Sequence, residues 1–239
     1  VVHIPARYHL LRWSASTLLL HLGRLVPPTV LAGYASQFQT AIDLAVKPML
    51  ASDSLSPSQL AIIRLPTRHG GFGLSGPSEI SHQAYVSSAG DVYRFLKDIK
   101  GWSDSKKLLG ALRSAQTIIA AAAFVNDELR GMRTGQKLLL NPAQMEAWPA
   151  QSALSRAIHT MRADRIEEEL SRENPILASW FASNRGKYAS GWINAIPSLP
   201  VFRVSSQIFQ TMLCLRVLAP IPGTDSIQQC GCGYAYKPL

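Results

Sequence analysis

The chain has 239 residues, 47% of them hydrophobic and 16% charged, a balance that can fill one large core or two modest ones and excludes an intrinsically disordered protein. Lys and Arg number 24 against 15 Asp and Glu, for a net charge of +9 and a pI near 9.7. That basicity points to an anionic partner, most commonly nucleic acid, with a merely solubilising surface as the alternative.

No apolar run approaches the ~20 residues that span a bilayer. The apolar part of the N-terminal region is broken by Arg12, His21 and Arg24, so no signal peptide is expected. Three cysteines make no disulfide framework, and an intracellular location, cytoplasmic or nuclear, with no membrane association follows as the expectation. The start at Val1 rather than Met, and the end at Leu239 just beyond a cysteine pair, suggest a piece of something longer.

In chain order, Tyr8, Leu11, Ala15, Leu18, Leu22 and Leu25 recur at steps of three or four and predict a helix over 7–25, stopped by Pro27-Pro28. A second helix is expected over 29–50 on the stripe Val30, Tyr34, Phe38, Ile42 and Val46, the two forming a hairpin whose apolar faces meet. Residues 52–58 read as a loop, and Ser56-Pro57 opens a short helix through Ile62. The run Arg64-Leu65-Pro66-Thr67-Arg68-His69-Gly70-Gly71-Phe72-Gly73-Leu74-Ser75 combines a stiffening proline, basic side chains, permissive glycines and interleaved apolar residues. Further helices are expected over 77–96, 103–130, 141–148 and 151–172, then two short pieces within 174–194 and a last one over 204–217. Strand-like alternation is hardly seen, so the fold class is mainly α.

Gly71-Phe72-Gly73-Leu74-Ser75-Gly76 matches G-x-G-x-x-G literally. A dinucleotide site needs a buried strand before the first glycine, and Pro66, Arg68 and His69 occupy that place, which argues against it. The six histidines form no paired zinc motif, no G-x-S-x-G elbow is present, and the aspartates are isolated. No active site emerges. Cys230-Gly231-Cys232-Gly233 could wrap a zinc ion but supplies only two ligands, where four are normally needed. Between Arg64 and Arg113 eight Lys or Arg face four acids, enough to follow a phosphate backbone without reading bases.

Three blocks, in this order, then carry a resemblance. They are the predicted hairpin through Leu25-Val26-Pro27-Pro28 with Phe38 and Asp43; the R-L-P-x-R-x-G-G-x-G-L run at 64–74 followed by Ala84-Tyr85-Val86-Ser87-Ser88; and Ser190-Gly191-Trp192-Ile193-Asn194-Ala195-Ile196-Pro197, Phe209 to Pro220, and Cys230-Gly231-Cys232-Gly233. Together they resemble the thumb and post-thumb region of reverse transcriptases from non-LTR-type retroelements.

The resemblance implies a helical thumb over 1–63, a connector over 64–76 built on Pro66, Gly70, Gly71 and Gly73, an α-helical post-thumb region over 77–220, and an incomplete zinc-knuckle-like tail over 221–239. It implies a catalytically incomplete fragment of an RNA-directed DNA polymerase that holds template–primer, an RNA–DNA hybrid or duplex DNA, through backbone contacts. The expected contacts are Arg64, Arg68 and His69 in the run and Arg12 and Arg24 before it, with the parent polymerase's palm and fingers as protein partners. No cofactor is expected in the chain itself, and zinc at Cys230 and Cys232 only if the tail continues in the parent. The competing reading is a helical protein-interaction or scaffold module with an incidentally basic surface.

Overall fold

A computed structural model describes residues 3–18, 21–99, 105–130, 138–196 and 203–223. The fold is mainly α, with no strand among the described residues. The helices are α1 (Ile4–Leu10), α2 (Leu22–Leu25), α3 (Pro28–Val46), α4 (Pro57–Arg64), α5 (Pro77–Asp98), α6 (Ser105–Ser114), α7 (Gln116–Arg130), α8 (Gln151–Glu173), α9 (Pro175–Asn184), α10 (Gly191–Asn194) and α11 (Ser206–Arg216). A π-helical turn at Leu11–Ala15 and 3-10 turns at Lys47–Met49, Thr67–His69 and Pro142–Ala147 supplement them. No single described helix is long and apolar enough to cross a membrane.

The chain divides into two compact units interleaved along the sequence. The first comprises Val1–Ala15, Thr40–Leu74 and Ala163–Leu239, the second Ser16–Gln39 and Ser75–Arg162. Residues 1–63 therefore contribute to both units instead of forming one block, and so do residues 77–220.

The second unit is built around α5 and α7. Val86, Ala89 and Tyr93 of α5 meet Ile118, Ala121, Ala122, Val125 and Leu129 of α7, and Met145, Trp148, Leu154 and Ile158 close the cluster. Where one helix is expected over 103–130, the described residues 105–130 form two, bent by 52° around Ala115. Next to the bend the Ser114 hydroxyl donates back to the carbonyls of Gly110 (3.0 Å) and Ala111 (3.3 Å), a local bond that competes with the helical ladder.

Within the expected 7–25 helix the described residues form α1, the π turn and α2. Within the second unit α2 packs on α5, with Gly23 so close that a Cβ there would lie 3.4 Å from the Ser81 Cα. On α3 the buried line is Leu31, Ala35, Gln39, Ile42 and Val46, while Val30 (64% exposed) and Tyr34 (71%) face out. The buried Gln39 amide oxygen accepts the Gly76 N–H at 2.8 Å. Pro48 lacks the N–H that a longer helix needs, and α3 ends in the 3-10 turn at Lys47.

The core of the first unit gathers Tyr8 of α1, Met49, Leu50, Ile62, Ile63, Leu65, Phe72 and Leu74, Phe181 of α9, and Phe209, Leu213, Cys214 and Val217 of α11. A capping box starts α4: the Ser56 hydroxyl accepts the Gln59 N–H, the Gln59 side chain accepts the Ser56 N–H, and Pro57 sits in the first turn.

Candidate nucleic-acid interface

The run at 64–74 is more than a connector, for it folds back into the core of the first unit. Its amides are spent on its own chain: Gly71 donates to Pro66 O at 3.3 Å, Phe72 and Leu74 to Ile63 O at 3.2 and 3.3 Å, and Gly73 to Leu65 O at 2.8 Å. Because these N–H groups close the end of α4, they do not form an outward cradle for a phosphate. Glycine is required at two places. Gly70 has φ +89°, and a Cβ on Gly71 would stand 2.1 Å from Leu65 O and 2.3 Å from Ile62 O.

Arg216 locks the run in place. It is 1% exposed, and it donates from Nη2 to Thr67 O at 2.6 Å, from Nε to Gly71 O at 3.0 Å and from Nη1 to Ala189 O at 3.1 Å. Burial pulls its pKa down to about 10, which leaves the guanidinium charged at neutral pH. Beside it the Tyr8 hydroxyl donates to Phe72 O at 2.7 Å, and burial pushes that phenol up to about 12, so it stays a donor. Sequence reasoning placed Arg216 only within the Phe209-to-Pro220 block of the resemblance and gave it no role. The available signal was a lone arginine in the apolar stretch Phe209–Val217, three residues beyond Leu213 and so on the buried face of α11.

The basic residues expected on phosphate have different surroundings. Arg64 is held at 2.6 Å by Asp43, with only 28% and 15% of the two side chains exposed. Arg24, in the second unit, is bound to Asp91 at 3.0 Å. Arg68 is exposed and donates through Nε to His69 Nε2 at 3.2 Å. Burial, aided by the guanidinium groups of Arg68 and Arg185, pulls His69 down to about 4, so its imidazole is a neutral acceptor at pH 7 and not a cation for phosphate. Arg12 donates to Asn194 Oδ1 and to the Tyr8 hydroxyl, and a Cβ on Gly73 would lie 3.1 Å from its Nε. The structure thus gathers Arg12, Arg64, Arg68 and His69 on the first unit and leaves Arg24 on the other.

A further basic region is visible once the elements are placed. Residues 1–42 and 174–224 contain no Asp or Glu, yet carry Arg7, Arg12, Arg24, Arg185, Lys187, Arg203 and Arg216. Within the first unit these stretches supply α1, the π turn, α9, α10 and α11. They pack together: the Ile4 N–H donates to Ser206 Oγ at 3.2 Å, and the rings of Tyr8 and Phe209 lie 5.7 Å apart. Arg7, Lys187 and Arg203 are exposed on these acid-free elements, and Lys187 lies 5.3 Å from the ring of Tyr188, itself exposed. Arg185 is different, being tied to Asp164 at 2.5 Å and to Glu167 of α8. The missed signal was therefore the distribution of acids, not of bases.

An apolar groove of about 590 Å³ runs between α1, α10 and α11, walled by Ala6, His9, Trp192, Ile196 and Phe209, with Arg203 on its lining. His9 stacks on Trp13 with ring centroids 4.7 Å apart, and Trp192 meets Phe209 edge-on at 5.6 Å. Burial, with Arg12 nearby, lowers the pKa of His9 and so favours its neutral form.

Cys230 and Cys232 lie outside the described residues. Cys214 is buried, and its thiol donates to Leu50 O at 3.6 Å. Among the described residues no group of three His, Cys, Asp or Glu side chains is placed to hold a metal ion. Comparison of the chain with models of protein families, with curated protein sequences and with solved structures finds no match.

Proposed function

We propose that the chain is the thumb and post-thumb part of a retroelement RNA-directed DNA polymerase, catalytically incomplete alone, that holds a template–primer duplex through its sugar–phosphate backbone. The observation that carries this reading is the acid-free set of elements in the first unit, on which Arg7, Lys187 and Arg203 are exposed. Exposed cations on elements that carry no carboxylate of their own attract a polyanion without reading its sequence. Arg68 and Arg12 extend the contact toward the 64–74 run, whereas Arg64 and Arg24 steady the fold through Asp43 and Asp91.

The test is a salt titration of binding to an RNA–DNA hybrid and to duplex DNA. Log affinity should fall linearly with log salt, and each of Arg7→Gln, Lys187→Gln and Arg203→Gln should flatten the slope by about 0.9. Absence of binding at low salt, or an unchanged slope in the triple variant, refutes the reading.

A protein-interaction module is favoured by a separate feature, the exposed Leu22, Leu25, Val30 and Tyr34 of α2 and α3 in the second unit. In the polymerase reading this apolar surface meets the palm or fingers of the parent. As a scaffold alone, the chain would capture a protein partner through it and show no duplex affinity.

A further inference from the structure

We infer that the apolar groove between α1, α10 and α11 receives an unpaired nucleotide at the single-stranded end of a bound nucleic acid. The inference rests on the nucleic-acid reading above and adds a specificity to it. Its walls, Ala6, His9, Trp192, Ile196 and Phe209, are flat rings and small or apolar groups, which suit the π face of a base. Its volume, about 590 Å³, lies in the range of small-molecule sites.

Charge selects the ligand class. The Arg203 guanidinium on the lining can meet a phosphate, and Arg7 is exposed on α1, one residue from Ala6. The elements forming the groove come from stretches without a single acid, and none of the groove's lining residues is acidic. An apolar peptide or an acyl chain would use the walls but not these cations. A duplex offers phosphates but keeps its bases stacked, and a frayed or single-stranded end satisfies both walls and rim.

The experiment uses the full chain and fluorescently labelled oligonucleotides: a blunt RNA–DNA hybrid, and the same hybrid with a short unpaired extension made in turn of RNA and of DNA. Anisotropy reports affinity and intrinsic tryptophan emission reports stacking near Trp192. The extension should tighten binding about tenfold, the worth of one stacked base, and quench the emission. Ala6→Trp and, separately, Ala195→Trp, at a further lining residue next to Ile196, fill the groove from exposed positions without deleting a core contact; each should abolish the gain while leaving blunt-hybrid binding unchanged. Equal binding of blunt and extended hybrids, or a gain that survives both groove-filling variants in folded protein, overturns the inference alone. Failure to bind any of the oligonucleotides overturns the underlying reading and this one with it.

Discussion

Replacing Arg216 by Met tests the physical account of the first unit most directly. The substitution keeps an unbranched apolar stem and removes the three donors that hold Thr67 O, Gly71 O and Ala189 O. Hydrogen bonds from a charged donor contribute about 1.5–3 kcal/mol each, so three give a nominal sum of about 4.5–9 kcal/mol. Removing the buried charge also removes its desolvation cost, which brings the expected loss to about 3–5 kcal/mol, most of it from three buried carbonyls left without donors. For a protein stable by about 5–15 kcal/mol this is a large share. Urea unfolding followed by far-UV circular dichroism and by tryptophan emission measures it, and Trp192, whose ring lies 5.9 Å from the Arg216 guanidinium carbon, gives a local reading. Arg216→Lys should recover less than half, because an ammonium cannot span carbonyls from three separate places. A loss below about 1 kcal/mol for Arg216→Met would refute the claim that this residue organises the run.

Two further perturbations separate backbone from charge. Gly71→Ala drives a Cβ to within 2.1 Å of Leu65 O and should prevent stable folding of the first unit, whereas Gly33→Ala, in α3 with open space around the new carbon, should raise the melting temperature by stabilising about 0.5–1 kcal/mol; thermal melts of both variants check the contrast. His69 has a folded pKa near 4, below its ordinary value of 6.5. The unfolded chain therefore binds the proton more tightly, and the contribution of the neutral imidazole is complete above 6.5 and lost as pH falls toward 4. His69→Gln should flatten stability against pH in that window, and an NMR titration in which His69 protonates at an ordinary pH would show its setting to be misjudged.

Helices with a sustained apolar period or a proline at the start were legible from sequence. The 77–98, 151–173 and 206–216 segments keep one apolar face throughout, and both α4 and α5 open on Pro. The α3 face was not legible, since Val30-Tyr34-Phe38 and Leu31-Ala35-Gln39 are equally periodic and only tertiary packing chooses between them. The buried line even includes a glutamine, tolerated because its side chain takes up the Gly76 N–H. At 64–74 the glycines and the proline were visible, but which groups they serve depends on Arg216, 145 residues away from Gly71. Arg64 and Arg24 read as phosphate ligands because a sequence displays a charge without its counter-charge.

Salt gives the last discriminating prediction, because the two populations of cations answer to it differently. Arg162 is held by Glu128 at 2.6 Å and by Glu79, Arg64 by Asp43, and Arg185 by Asp164 and Glu167; each of the three arginine side chains is less than 30% exposed. Mobile ions screen exposed charges separated by more than about 8 Å at physiological ionic strength, and partly buried pairs in contact far less. Raising salt from about 50 to about 200 mM should therefore leave the melting temperature within about 2 °C while duplex affinity falls steeply, by about a thousandfold or more if six or more phosphates are neutralised. Calorimetry and anisotropy on one sample series supply both curves. If the two fell together, the same cations would be serving fold and ligand, and the separation of acid-paired arginines from the acid-free surface would carry no functional meaning.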